Sequence, residues 1–91
     1  MRTAIVNTGA ILSGDLQDPL LAGDTVVCDG DLIASVGTAS VSAIESADIV
    51  IDADGATLIP GLIDSHVHIT FGDYTPRQRV VGYLESYLHG G

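Results

Sequence analysis

The stretch "IPGLIDSHVHI", residues 59–69, carries two histidines one residue apart at the end of an apolar run that begins with Pro-Gly. If it is a β-strand, alternate side chains share a face, and the polar face holds Asp64, His66 and His68. Two residues of strand rise separate the histidines by about 7 Å at the backbone, a spacing from which two imidazole nitrogens can converge on one ion. The stretch therefore predicts two ligands for zinc or a similar divalent metal.

A second interpretation of the same motif needs no metal. His-x-His occurs often by chance, and the two histidines can be hydrogen-bonded in a core or exposed at a sheet edge. Two considerations favour the metal. Burying Asp64 with both histidines and no partner would be costly, and a strand end entering a β-α loop is where α/β barrels place catalytic groups. Asp64 shares this face and could either bind the metal itself or orient a histidine through a hydrogen bond.

The chain before residue 60 reads as short β runs separated by turn residues. Asp29–Gly30 is a dipeptide favoured in two-residue hairpins, and residues 40–47 predict a loop or a single helical turn. About six short strands are fewer than two packed sheets of ordinary size contain, so this β unit is expected to be incomplete. The strands are predicted at residues 3–8, 10–12, 25–28, 31–37, 48–52 and 56–59.

The chain after residue 60 reads as the start of a parallel α/β arrangement. A strand at 62–69, a loop at 70–75 and a helix at 76–89 follow one another. "TPRQ", residues 75–78, predicts a capping box at the start of the helix. One helical stripe is apolar and consists of Val80, Val81, Leu84, Tyr87 and Leu88.

Composition restricts the partners and the compartment. The chain has 91 residues, one small domain or a piece of a larger one, with 12 acidic and 3 basic residues and a net charge of −9. Such a charge disfavours nucleic acid and anionic membranes as partners. The single cysteine, Cys28, cannot form an internal disulfide, and no apolar stretch is long enough to span a bilayer. A cytoplasmic location is therefore expected.

Two segments, "DGDLIASVG" (29–37) and "IDADGATLIPGLIDSHVHI" (51–69), resemble the N-terminal signature of the metal-dependent amidohydrolase superfamily. Two others, "SGDLQDPLLAGDTVV" (13–27) and "FGDYTPRQRVVGYLESYLHGG" (71–91), are most similar to enamidases, which hydrolyse a cyclic enamide. The resemblance implies a (β/α)₈ TIM-type barrel and a β-sandwich made from both chain termini.

On this resemblance, residues 1–59 are part of the sandwich and residues 60–91 are the first strand and helix of a truncated barrel. His66 and His68 bind a divalent metal, zinc or alternatively iron, in a site of one or two ions. The metal activates water to attack a cyclic amide, an enamide or a related C–N bond. The full-length enzyme is expected to be a homo-oligomer.

The resemblance also implies what these residues lack. A barrel needs roughly 250 residues, and the family's other metal ligands and its aspartate base lie downstream, so no catalytic residue is assigned here. The chain alone is expected to be inactive, with weak metal affinity. No substrate-binding residue is assigned, although Asp73 and Tyr74 follow the strand in a loop where substrate contacts could arise. The alternatives are a dihydroorotase-like or imidazolonepropionase-like enzyme, or a non-catalytic truncated β module that folds by self-association.

Overall fold

The computed structural model describes residues 1–68 and 80–91 and divides into two units, Met1–Pro60 and Gly61–Gly91. The predicted fold class, mainly β with a C-terminal helix, is confirmed. The predicted loop at 70–75 and capping box at 75–78 lie outside the described residues. In chain order the elements are β1 (Arg2–Val6), β2 (Ala10–Leu12), β3 (Leu20–Leu21), β4 (Thr25–Asp29), β5 (Leu32–Gly37), α1 (Val41–Glu45), β6 (Ile49–Asp52), β7 (Thr57–Leu58) and α2 (Val80–Gly90).

The larger sheet of the first unit has four strands in the order β5-β4-β1-β6. β1 is antiparallel to β4 and parallel to β6. The β4–β5 hairpin turns one residue later than predicted, because Asp29 pairs with Leu32 and the turn consists of Gly30 and Asp31. Gly30 has φ 62 at the first turn position, where a type II′ turn places glycine.

The smaller sheet has three strands in the order β3-β2-β7, with β2 parallel to β7. β3 was not predicted, because its two residues lie among turn residues and show no alternation. α1 begins at Ser40, whose hydroxyl accepts a hydrogen bond from the backbone N–H of Ala43 at 3.2 Å. The core draws on both sheets, and its buried apolar residues are Ala4, Ile11, Val26 and Val27.

The second unit differs from its prediction. Residues 62–68 form no strand, although one was expected over 62–69, and α2 is described from Val80. A strand needs a neighbour to accept and donate its ladder hydrogen bonds, and residues 61–68 pair with no strand in the described part of the chain. Their one backbone–backbone hydrogen bond there runs from the Leu62 N–H to the Gly91 carbonyl.

Residues 61–68 are also exposed, and Ile63 keeps 90% of its surface accessible. The cost of burial, which favoured a metal at Asp64, His66 and His68, therefore does not apply to this structure. Within residues 1–68 and 80–91, no helix is both long and apolar enough to cross a membrane.

Candidate metal centre

His66 and His68 bring their ring nitrogens together. The two Nε2 atoms lie 3.0 Å apart, with the ring centroids separated by 5.0 Å and the planes tilted by 52°. Two imidazole ligands of a tetrahedral zinc, each at about 2.0–2.1 Å from the ion, have nitrogens about 3.3 Å apart. The observed separation is close to that value, and it is also the length of a hydrogen bond between the two rings.

The donor set also suits such an ion. Neutral imidazole nitrogens are good ligands for zinc and iron, and both rings are exposed and accessible. A catalytic zinc site normally has three protein ligands. No group of three or more His, Cys, Asp or Glu side chains that could hold a metal occurs in the described ranges 1–68 and 80–91. The residues present therefore fit a metal as a two-ligand partial site.

Asp64 uses its two carboxylate oxygens for different partners. Oδ1 accepts a hydrogen bond from the backbone N–H of His66 at 3.1 Å. Oδ2 accepts one from the Tyr87 hydroxyl at 3.0 Å. The carboxylate thus contacts the His66 backbone in this structure, and the predicted role of Asp64 in orienting a ligand ring stays a prediction.

Tyr83 and Tyr87 were not predicted as part of this region. They lie four residues apart on α2, a spacing that makes side chains neighbours on one helix face. The Tyr83 hydroxyl donates to the Tyr87 hydroxyl at 3.1 Å, with ring centroids 5.0 Å apart. The hydrogen bond with Tyr83, and then the one with the Asp64 carboxylate, raise the pKa of Tyr87 above its usual value. With an ordinary pKa of about 10, a tyrosine is already protonated at neutral pH, so the Tyr87 hydroxyl is a donor there.

Asp29, which was expected in the hairpin turn, and Asp52 both accept hydrogen bonds within the first unit. Asp29 also forms an ion pair, because Arg2 Nε lies 2.6 Å from its Oδ1. The hydrogen bond from Arg2 lowers the pKa of Asp29. Asp52 Oδ1 accepts from the Asp54 N–H at 2.9 Å and from Asn7 Nδ2 at 3.1 Å. These bonds, the Asp54 one first, lower the pKa of Asp52.

Cys28 carries the single thiol of the chain and His89 its third imidazole. Cys28 is a free, half-buried thiol on β4, and His89 lies in the last turn of α2. Asp73 and Tyr74 lie outside the described residues.

Comparison with known proteins finds similarity to two kinds of enzyme, enamidase and imidazolonepropionase. No family model matches the chain. Enamidase from Eubacterium barkeri is 44% identical over 90 residues, covering 99% of this chain and 23% of that protein. Imidazolonepropionase from Arthrobacter sp. (strain FB24) is 38% identical over 92 residues, covering 100% of this chain and 22% of that protein. A crystal structure of enamidase, a member of the amidohydrolase superfamily, superimposes with a TM-score of 0.77 over 100% of this chain and 24% of that one.

The predicted resemblance is confirmed: in class, the chain corresponds to the N-terminal part of an amidohydrolase-superfamily enzyme. It spans about a quarter of the length of the relatives it matches. Among individual enzymes, enamidase resembles it over its whole length in both sequence and structure.

Proposed function

We propose that this chain is the N-terminal part of an enamidase-like, metal-dependent hydrolase that acts on a cyclic amide, an enamide or a related C–N bond. The observation that supports it most is the similarity to enamidase, which is 44% identical and has a TM-score of 0.77. The 38% identity to an imidazolonepropionase keeps that related activity as the alternative within the superfamily. The whole protein would work in the cytoplasm, consistent with a single cysteine.

His66 and His68 are the residues that would hold the metal, zinc or iron, through their Nε2 atoms. When bound, the ion would lower the pKa of a water molecule toward about 7 and polarise the substrate carbonyl. The task of this chain is to present the two imidazoles as neutral ligands at the correct separation. The remaining ligands and the general base would come from other parts of the whole enzyme, which in this superfamily has a TIM-type barrel of roughly 250 residues.

A chimera tests this function directly. The 91-residue chain would replace the matching quarter of Eubacterium barkeri enamidase, and hydrolysis of that enzyme's cyclic enamide would be measured with added zinc or iron. We expect activity in the chimera and a loss of about 100-fold or more when His66→Ala or His68→Ala removes a ligand.

His89→Ala is the matched control, since it removes a histidine from the last turn of α2 and should leave activity unchanged. A folded chimera without activity, beside an active parent enzyme, would contradict the proposal. So would full activity in both ligand variants.

A non-catalytic, self-associating β module is the second candidate, and the edge strands support it. β5 and β6 are the two outer strands of the four-stranded sheet. Both carry exposed aliphatic side chains, among them Ile33 at 68% and Val50 at 52% accessible. Unpaired edges of this kind are templates for pairing with another chain. The same surface would also serve the homo-oligomer that we propose for the whole enzyme.

Sedimentation velocity of the isolated chain tests self-association. We expect oligomers whose population rises with concentration and falls in the edge variant Val50→Lys. Leu16→Lys is the control, because Leu16 is 91% accessible but lies outside the strands. A monomer at all concentrations would exclude the self-associating module.

A further inference from the structure

We propose that Tyr87 is a positioning residue for the histidine pair: its hydroxyl holds Asp64, and Asp64 holds the backbone of His66. This inference rests on the proposed metal-binding function of His66 and His68. Helix α2 would then help to position the two histidines, a role that its apolar stripe did not predict.

The connection consists of two consecutive hydrogen bonds. The Tyr87 hydroxyl donates to Asp64 Oδ2 at 3.0 Å. The other oxygen of the same carboxylate accepts from the His66 N–H at 3.1 Å. A carboxylate bonded through both oxygens cannot rotate without losing one partner, and hydrogen bonds to a charged acceptor are stronger than neutral ones. The orientation of the His66 backbone is thereby tied to a side chain on α2.

The connection from Tyr87 through Asp64 to His66 matters because the segment around it lacks the hydrogen bonds of a sheet. Residues 61–68 form no strand, and within the described part of the chain they make one backbone–backbone hydrogen bond, from the Leu62 N–H to the Gly91 carbonyl. Sheet hydrogen bonds therefore do not hold the segment. Two hydrogen bonds hold it to α2 and the residue after α2. The Leu62 N–H donates to the Gly91 carbonyl, and the Tyr87 hydroxyl donates to Asp64, two residues before the first histidine.

Tyr83 extends the connection by one step. Its hydroxyl donates to the Tyr87 hydroxyl at 3.1 Å, which leaves the Tyr87 proton directed at Asp64. A donor that receives a hydrogen bond becomes a stronger donor to its own acceptor. Tyr83 is thus expected to support Tyr87 and to have a smaller effect than Tyr87 itself.

Removal of the Tyr87 hydroxyl should change metal affinity in opposite directions, depending on whether Tyr87 positions the segment or Asp64 binds the metal directly. If Tyr87 positions the segment, removing its hydroxyl loosens the histidine pair and weakens metal binding. If Asp64 is a metal ligand that Tyr87 holds back, the same change frees the carboxylate and strengthens binding.

The test is a zinc chloride titration of the 91-residue chain, followed by NMR of the histidine ring and backbone resonances. Tyr87→Phe removes the hydroxyl and keeps the ring. We expect zinc affinity to fall about two- to tenfold, the range for one lost hydrogen bond, and the His66 amide resonance to shift before zinc is added. Ser86→Ala is the matched control, since the Ser86 hydroxyl on the same turn donates to Gly82 and not to Asp64.

The outcomes separate the inference from the proposed function. Zinc that leaves the rings of His66 and His68 unperturbed in the unaltered chain would overturn the inference, whereas the proposed function of the whole enzyme is overturned by an inactive chimera. Zinc binding that Tyr87→Phe leaves unchanged or strengthens would overturn the positioning role and keep the metal pair. Unchanged resonances from β1 to β5 in each variant establish that the first unit is folded, so that an affinity change reports on residues 61–91.

Discussion

Replacing Gly23 with alanine should destabilise the first unit through a backbone collision. Gly23 has φ +97, and an added Cβ would lie 1.9 Å from the Gly37 carbonyl oxygen and 2.3 Å from its carbon. Both atoms are backbone, so no side-chain rotation relieves the contact. The same carbonyl accepts a hydrogen bond from the Asp24 N–H at 2.8 Å, at the point where Thr25 pairs with Gly37 between β4 and β5.

Two costs set the size of the effect. An L-residue in a left-handed conformation costs about 1–2 kcal/mol. A Gly37 carbonyl that moves away loses a hydrogen bond worth about 0.5–1.5 kcal/mol. The free energy of unfolding should therefore fall by about 1.5–3.5 kcal/mol. A chain of this length has a total stability of about 5–14 kcal/mol, so the change is a large fraction of the whole.

Urea unfolding, followed by far-UV circular dichroism, measures this change from the shift of the transition midpoint. Gly30→Ala is the matched control: Gly30 has φ +62, and a Cβ there meets nothing within 4 Å. It should therefore show the conformational cost alone, about 1–2 kcal/mol. Equal losses in the two variants would show that the contact with Gly37 is relieved at no cost and would refute the reasoning.

Two further predictions concern the core and the ion pair of the first unit. The Ile11 side chain is only 3% accessible, so Ile11→Ala should lower the free energy of unfolding, measured in urea, by about 2–4 kcal/mol. Ile63 is 90% accessible, and Ile63→Ala should change the free energy of unfolding by no more than about 0.5 kcal/mol. Similar losses in the two variants would contradict the assigned core. Arg2 lowers the pKa of Asp29 below its usual 3.8. The contribution of this ion pair to the free energy of unfolding is therefore complete above that value, and it is lost as the pH falls through the pKa of Asp29 in the folded chain. Arg2→Gln should therefore flatten the decline in urea midpoint between about pH 5 and 2, and an unchanged decline would show that the pair does not contribute.

Most strands of the first unit could be predicted from the sequence. β4 and β5 are apolar runs separated by turn residues, and local patterning is enough to detect them. Their pairing could not be predicted in the same way. That β1 lies between β4 and β6, antiparallel to one and parallel to the other, depends on contacts between residues far apart in the chain, on which local periodicity carries no information.

The candidate site, too, could be predicted from the sequence only in part. The two Nε2 atoms of His66 and His68 lie 3.0 Å apart, but the strand geometry from which their convergence was predicted is absent, and their role as metal ligands stays a prediction. The strand expected around them was wrong for residues 62–68, since apolar alternation indicates a strand only when a neighbour is present to pair with it. The Tyr87–Asp64 hydrogen bond joins residues 23 positions apart, and two tyrosines at helical spacing do not indicate which segment they will contact.

The parallel strands of the first unit also set the order in which it can assemble. β1 and β2 are made first, yet their parallel partners are β6 and β7, with Thr3 opposite Ile49 and Ala10 opposite Thr57. At about 5–20 residues per second, a ribosome delivers those partners roughly 2–10 seconds later. During that interval β1 can pair only with β4, and β2 only with β3. One side of each early strand therefore stays open to other chains until its partner has left the ribosome, at Asp52 for β1 and Leu58 for β2. This interval is when aggregation of the nascent chain would begin.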